Sequence, residues 1–211
     1  MMLRTNMTLE LVFKQRFKEF GATPKGSFWF SKTRQNNRFS IICEQIKRNV
    51  DKLPASIADV GCGYGALVPY LKKNECFPRE IYYGVDICSD LIAYCKAKWE
   101  DKDHVFNIGI VPPNPVTVTV MSGTYNLSVT KRINDWEDYI FQCLEVCWSM
   151  TETVMIFNLQ VEDTARISKS YIYYANTANI TQQCVQRFGP TRVIRTKDLD
   201  KDATFVVLRG N

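Results

Sequence analysis

The chain has 211 residues, 45% of them hydrophobic and 23% charged, with a net charge of +5. A chain of this length hides roughly 70% of its unfolded surface, and this residue balance excludes a disordered or fibrous polypeptide. The longest apolar run, residues 116–121, falls far short of the roughly 20 residues of a membrane span, and residues 1–6 lack the apolar stretch of a secretory leader; a soluble, cytoplasmic protein is expected.

Eight cysteines, at 43, 62, 76, 88, 95, 143, 147 and 184, are scattered, with no C-x-x-C pair among them. Cys143 and Cys147 share a helix face, but His104 is the single histidine and lies far off in sequence. Buried free thiols are therefore expected in place of a disulfide framework or a metal site. One histidine also argues against a Ser-His-Asp or Cys-His hydrolase. Residues 1–52 carry 11 Lys/Arg against 4 Asp/Glu, and the remainder 16 against 18. A segment so basic attracts anionic substrates or nucleic acid, and it is equally what a solvated amphipathic helix looks like.

In chain order, Leu9, Phe13, Phe17 and Phe20 recur at helical spacing up to a break at Gly21 and Pro24-Lys25-Gly26. A second helix is expected over residues 39–49, with Pro54 closing an N-terminal helical extension, or lid, of residues 1–53. The core, 54–211, starts with strand 56–60, which runs into the cluster Gly61-Cys62-Gly63-Tyr64-Gly65; helix 66–73 and strand 81–86 follow. Ser89 is expected to cap a helix over 89–99. Strands 105–110 and 116–121 flank Pro112-Pro113-Asn114-Pro115, and helix 134–149 carries an apolar stripe of Trp136, Ile140, Phe141, Leu144 and Trp148. Strand 153–157, helix 179–188 ended by Gly189-Pro190, and alternating runs at 192–195 and 203–209 complete the chain, the last two as a hairpin. Strands alternating with helices indicate one α/β domain with a mostly parallel, Rossmann-like sheet, an antiparallel C-terminal hairpin and helices on both faces.

The chemistry concentrates in Asp59-Val60-Gly61-Cys62-Gly63-Tyr64-Gly65. Glycines at a strand-to-helix turn permit a tight bend and the close approach of a ligand. In a doubly wound sheet that turn opens on the crevice at the carboxyl ends of the strands. Asp86, ending the next strand, is placed to accept both hydroxyls of a ribose. The motif satisfies both G-x-G-x-x-[GA], a dinucleotide fingerprint, and D-x-G-x-G of S-adenosylmethionine-dependent enzymes. Asp59 before the first glycine, the terminal hairpin and the turn Ser122-Gly123-Thr124-Tyr125-Asn126 favour the second. An NAD(P)-dependent oxidoreductase and a non-catalytic binding protein of the same fold stay open.

On these segments the chain resembles the class I S-adenosylmethionine-dependent methyltransferases of the small bacterial and bacteriophage kind. Trp29-Phe30-Ser31 with Gln35 and Arg38-Phe39, Tyr83-Gly84-Val85-Asp86-Ile87, 121–126 and Phe157-Asn158 are similar to further segments of that group. The resemblance implies a seven-stranded sheet, S-adenosyl-L-methionine as cofactor with S-adenosyl-L-homocysteine as product, and a cytoplasmic location, the host cytoplasm if the source is viral. It places Gly61, Cys62 and Gly63, with Asp59, along the methionine and ribose, Asp86 on the ribose hydroxyls and Ile87 beside the adenine. Arg38 would pair with the methionine carboxylate, Gln35 and Trp29 would stand near it, and Ser122 and Gly123 would approach the sulfonium. Tyr125, Asn126 and Asn158 would orient an acceptor, and Tyr171-Ile172-Tyr173-Tyr174 would wall its pocket or serve as core packing. Where the group commonly has an acidic residue reading the adenine amino group, this chain has Ile110, leaving Asn107 or backbone groups for that task. No catalytic base is assigned. The acceptor is expected to be a small molecule, since no added recognition domain is evident, while the basic N-terminal segment keeps nucleic acid or protein in play.

Overall fold

The computed structural model describes residues 2–29 and 31–210; Phe30 of the Trp29-Phe30-Ser31 segment lies outside the described residues. Seven strands form the main sheet, in the order β3 (His104–Ile108), β2 (Ile81–Asp86), β1 (Ser56–Val60), β4 (Val116–Met121), β5 (Thr151–Glu162), β9 (Asp202–Leu208) and β8 (Thr191–Ile194). The first five are mutually parallel, and β9 runs antiparallel to both β5 and β8. Two short strands not anticipated, β6 (Arg166–Ile167) and β7 (Tyr173–Asn176), extend the sheet beyond the far end of β5.

Alternation along each strand divides the core into two layers. Ala58, Val60, Val85, Met155, Phe157, Phe205 and Val207 face α5 (Ile133–Ser149) and α6 (Thr177–Arg187). Ile57, Tyr82, Val154, Ile156 and Val206 face α2 (Lys32–Asn49), α3 (Leu67–Lys73) and α4 (Ser89–Trp99). Helices therefore cover both faces. All eight cysteines are buried free thiols, packed as small apolar side chains.

Several boundaries differ from the sequence expectation. Helix α1 (Met2–Phe20) begins at Met2, and α2 begins at Lys32, where the Ser31 hydroxyl accepts the Arg34 N–H at 3.1 Å. Ser89 does not cap α4: Cys88 holds that position, and the Ser89 hydroxyl instead donates to Glu10 on α1 at 3.2 Å. This bond, the Lys14–Asp90 ion pair at 3.1 Å and the edge-on contact of Phe17 with Tyr94 fasten α1 (Met2–Phe20) to α4. The N-terminal segment thus lies over the carboxyl ends of the strands, where the chain leaves the sheet for its crossover helices.

Candidate functional site

A cavity of about 370 Å³ crosses those carboxyl ends in sheet order. Its lining passes from Gly109 and Ile110 after β3, to Asp86 and Ile87 at β2, to Asp59, Gly61, Cys62 and Gly63 at β1. It continues through Ser122, Gly123, Tyr125 and Asn126 after β4 to Gln160 on β5 and Tyr174 on β7. Leu9, Phe13, Ser27, Phe28 and Trp29 of the N-terminal segment and Arg34, Gln35 and Arg38 of α2 close it from above.

The glycine turn and the acid at β2 are one unit. Gly61 has φ 78°, and a side chain there would meet Thr124 at 2.6 Å, so the backbone approaches the loop after β4 as only glycine allows. The Gly63 N–H donates to Asp86 Oδ2 at 2.9 Å, and the Cys88 N–H to Oδ1 at 2.9 Å. The carboxylate is thus fixed from behind, with further lone pairs left for hydroxyl donors. Burial pushes the Asp86 carboxyl up, and these backbone donors pull it back. Asp59, buried beneath the turn, accepts the Tyr82 hydroxyl at 2.7 Å. Burial raises its carboxyl to about 7, against the Tyr82 hydrogen bond that lowers it. Cys62 lines the cavity, and both its thiol and that of Cys95 point at the Gly63 carbonyl, at 3.8 and 3.3 Å.

On the α2 side, Arg38 is 5% exposed and pairs with Asp202 at the start of β9; Arg34 binds the same carboxylate at 3.1 Å. Two guanidinium groups thus share one acid. Arg38 also lies 4.7 Å from the Trp29 ring centre, and its Nε is buried with no hydrogen-bond partner. Burial pulls the Arg38 guanidinium below its usual range, and Asp202 opposes that pull. Gln35 Oε1 receives the Tyr64 hydroxyl at 2.9 Å and the Lys32 ammonium at 3.1 Å. Gly123 has φ 79°, and an added Cβ there would stand 3.0 Å from Arg38 Nη1 and 3.3 Å from Trp29, which brings the loop after β4 against the arginine. The hydroxyls of Ser122 and Ser27 are buried without partners.

The three expected acceptor residues stand in different places around the cavity. Tyr125 lines the cavity, but its hydroxyl turns into the core onto Met121 sulfur at 3.3 Å, because the ring is packed under α5. Asn158 is outside the lining and holds the loop from behind, accepting the Gly123 N–H at 2.8 Å. Asn126 lines the cavity while its Oδ1 accepts the Gln160 N–H at 2.8 Å and its carbonyl the Tyr173 N–H at 2.8 Å. Among 171–174, Ile172 and Tyr174 wall the cavity; Tyr173 is core, bonded to Glu137 at 2.6 Å. Asn107 does not line the cavity, whereas Gly109 and Ile110 do.

The sequence reading missed Leu9, Phe13, Ser27, Phe28, Arg34, Tyr139, Cys143 and Gln160 as lining residues. The polar–apolar alternation of Asn158-Leu159-Gln160-Val161-Glu162 carried a signal for Gln160, since it extends β5 past Phe157. Ser27 and Phe28 carried none, because only the folded chain brings them over the strand ends.

No protein-family model matches the chain. The protein from Mycobacterium tuberculosis named "Putative methyltransferase Rv1506c" is 25% identical over 138 residues, which are 64% of this chain and 82% of that protein. A SAM-dependent methyltransferase of Leishmania major superimposes with a TM-score of 0.71 at 12% identity, covering 95% of this chain and 82% of the other. Magnesium protoporphyrin IX methyltransferase of Synechocystis PCC 6803, crystallised with bound SAM, superimposes with a TM-score of 0.66 at 11% identity, covering 95% and 97%. The chain shares the fold of these S-adenosylmethionine-dependent methyltransferases.

Proposed function

We propose that the protein binds S-adenosyl-L-methionine along the β3–β4 part of the cavity and transfers its methyl group to a small-molecule acceptor held at the β4–β5–β7 part. The observation carrying this reading is the Asp86 carboxylate fixed to the N–H of Gly63 on one side of the glycine turn, with the unpartnered Arg38 Nε on the other. The pair suits a cofactor with a diol at one end and a carboxylate at the other. Asp86 accepts the ribose hydroxyls, while Ile87, Gly109, Ile110 and Tyr139 enclose the adenine. Arg38, backed by Asp202 and Trp29, receives the methionine carboxylate, with Gln35 beside it. Asp59 and the backbone of Gly61 and Cys62 face the methionine ammonium and chain, and Ser122 and Gly123 flank the sulfur. Bound here, the cofactor supplies a methyl group already activated by positive sulfur, so the protein's work is alignment and exclusion of water.

A small acceptor is favoured because part of the basic N-terminal segment is engaged within the chain. Lys14 pairs with Asp90, Arg16 donates to the Lys25 carbonyl, Arg34 and Arg38 hold Asp202, and Lys47 donates to the Asn74 carbonyl. Among the described residues no helix is long and apolar enough to cross a membrane. Calorimetry with S-adenosylhomocysteine tests the reading: wild type binds, and Asp86→Ala weakens binding by about 1.5–3 kcal/mol through lost charge-assisted hydrogen bonds. Equal affinity in a folded Asp86→Ala variant removes the carboxylate from the site.

A further inference from the structure

Among the described residues, three other than glycine have a positive φ: Phe28 (57°), Glu75 (53°) and Tyr171 (63°). Of these, Phe28 lines the cavity. It ends the 3-10 turn Lys25–Ser27, its N–H donating to the Lys25 carbonyl at 3.2 Å and the following Trp29 N–H to the Pro24 carbonyl at 2.9 Å. The two bonds form a Schellman motif, whose left-handed position ordinarily holds glycine, because a Cβ there crowds the backbone. Here that position carries a phenyl ring on a residue 37% exposed. Backbone geometry alone favours glycine, so the reason for a ring lies in what it touches.

The ring is held by α1. Phe13 meets it edge-on at 5.4 Å, and the Arg16 guanidinium stands 4.7 Å from its centre while Arg16 Nε donates to the Lys25 carbonyl at 3.0 Å. Helix α1 is in turn fastened to α4 and, through Asn6 and the Tyr139 hydroxyl at 2.7 Å, to α5. The left-handed residue turns the chain between its two neighbours, and both of them line the cavity. Ser27 stands over the glycine turn, its buried hydroxyl without a partner and 3.1 Å from where a Gly63 Cβ would be. Trp29 lies against the loop after β4, 3.3 Å from the corresponding point at Gly123, with the Arg38 guanidinium 4.7 Å from its ring centre. Phe28 thus joins the helix over the crevice to two side chains that meet the turn after β1 and the loop after β4.

Resting on the methyltransferase reading, we infer that Phe28 is a positioning residue whose ring ties Ser27 and Trp29 to α1 as a clasp over the bound cofactor. Ser27 closes the ribose side of the glycine turn, and Trp29, with Arg38, closes the methionine carboxylate. The ring takes no part in bond making or breaking. Its effect is on release: the nucleoside leaves when residues 27–29 part from the turn, and the contacts of Phe28 with Phe13 and Arg16 hold them in place until then.

The test measures association and dissociation of S-adenosylhomocysteine on the immobilised full chain by surface plasmon resonance, beside thermal unfolding of the free protein. Phe28→Gly removes the ring and relieves the left-handed backbone. The free variant should therefore unfold within about 3 °C of wild type, while S-adenosylhomocysteine dissociates about tenfold faster with an association rate changed about threefold or less. Phe28→Asn, which also tolerates left-handed backbone, should match it, and Phe28→Tyr, which keeps the ring, should retain slow dissociation. Wild-type dissociation in both ringless variants overturns the inference, and so does fast dissociation in a folded Phe28→Tyr. A lowered unfolding midpoint with an unchanged dissociation rate marks the ring as packing alone and overturns it as well. Failure of the wild type to bind S-adenosylhomocysteine at all instead overturns the methyltransferase reading on which the inference rests.

Discussion

In the proposed site, Asp59 should make cofactor binding and stability respond to pH in opposite directions. Its carboxyl is buried beneath the glycine turn, and burial raises it from an ordinary 3.8 to about 7. A group with a raised folded value contributes stability that is fully present below the unfolded value and is lost as pH rises through the folded one. The window runs from about pH 4 to pH 7, and the most it can cost is about 4 kcal/mol at about 1.4 kcal/mol per tenfold change in proton affinity. In the proposed placement, the methionine ammonium needs the ionised form. Ionisation rises from about one-tenth at pH 6 to about nine-tenths at pH 8, so affinity for S-adenosylhomocysteine should rise about tenfold across that interval. Thermal unfolding of the unliganded protein should show the reverse trend, with a midpoint falling towards neutrality. Calorimetry and thermal shift at pH 6, 7 and 8 measure both, for wild type and Asp59→Asn. The asparagine still accepts the Tyr82 hydroxyl and should flatten both profiles. An affinity constant from pH 6 to 8 in wild type, or a profile unchanged in Asp59→Asn, refutes the assignment.

Three further outcomes follow from the same geometry. Gly123→Ala places a Cβ 3.0 Å from Arg38 Nη1 at a backbone φ of 79°, so S-adenosylhomocysteine affinity should drop about tenfold or more by calorimetry. Gly84→Ala meets the Phe106 ring at 2.3 Å inside the core, and chemical denaturation should show a loss of about 1–3 kcal/mol. Ser27→Ala removes a buried hydroxyl standing 3.1 Å from where a Gly63 Cβ would be; it should weaken S-adenosylhomocysteine by about 1 kcal/mol with little change in the stability of the free protein.

The central β–α units were legible because their signals are local. Strands β1, β2 and β4 sit where their apolar runs predict, and the glycine cluster with Asp86 at the next strand end marks the crevice directly. Helix α2 illustrates the limit. Its first turns, Lys32-Thr33-Arg34-Gln35-Asn36-Asn37-Arg38, carry no apolar residue, so periodicity finds the helix only from Phe39. Yet Gln35 and Arg38 are buried, at 1% and 5% exposure, because that face turns onto a polar cavity wall. A buried polar face and a solvated one read alike in sequence, and the difference lies in Asp202, 164 residues away from Arg38. Strands β6 and β7 escaped for another reason: at two and four residues they are too short for alternation to register, and β7 finds partners in the end of β5 and the carbonyl of Asn126.

The same polar face explains how one helix can serve both stability and binding. Along α2, Phe39, Ile42, Cys43 and Ile46 fix the helix to the core, while Gln35 and Arg38, on its first two turns, reach the cavity. Orienting Arg38 this way buries a guanidinium whose Nε has no partner, and the nearby Ser122 and Ser27 hydroxyls are buried on the same terms. A group of this kind left without any partner, solvent included, costs about 1–3 kcal/mol. The core packing of α2 holds the arginine in place against that cost, and Asp202 offsets part of its charge. A ligand that supplies a carboxylate to Arg38 and acceptors to the two serines recovers those terms only in the folded state. On the proposed placement of the cofactor, binding and folding are linked through α2, and substitutions that loosen its apolar face, such as Ile42→Ala, should lower cofactor affinity as well as stability.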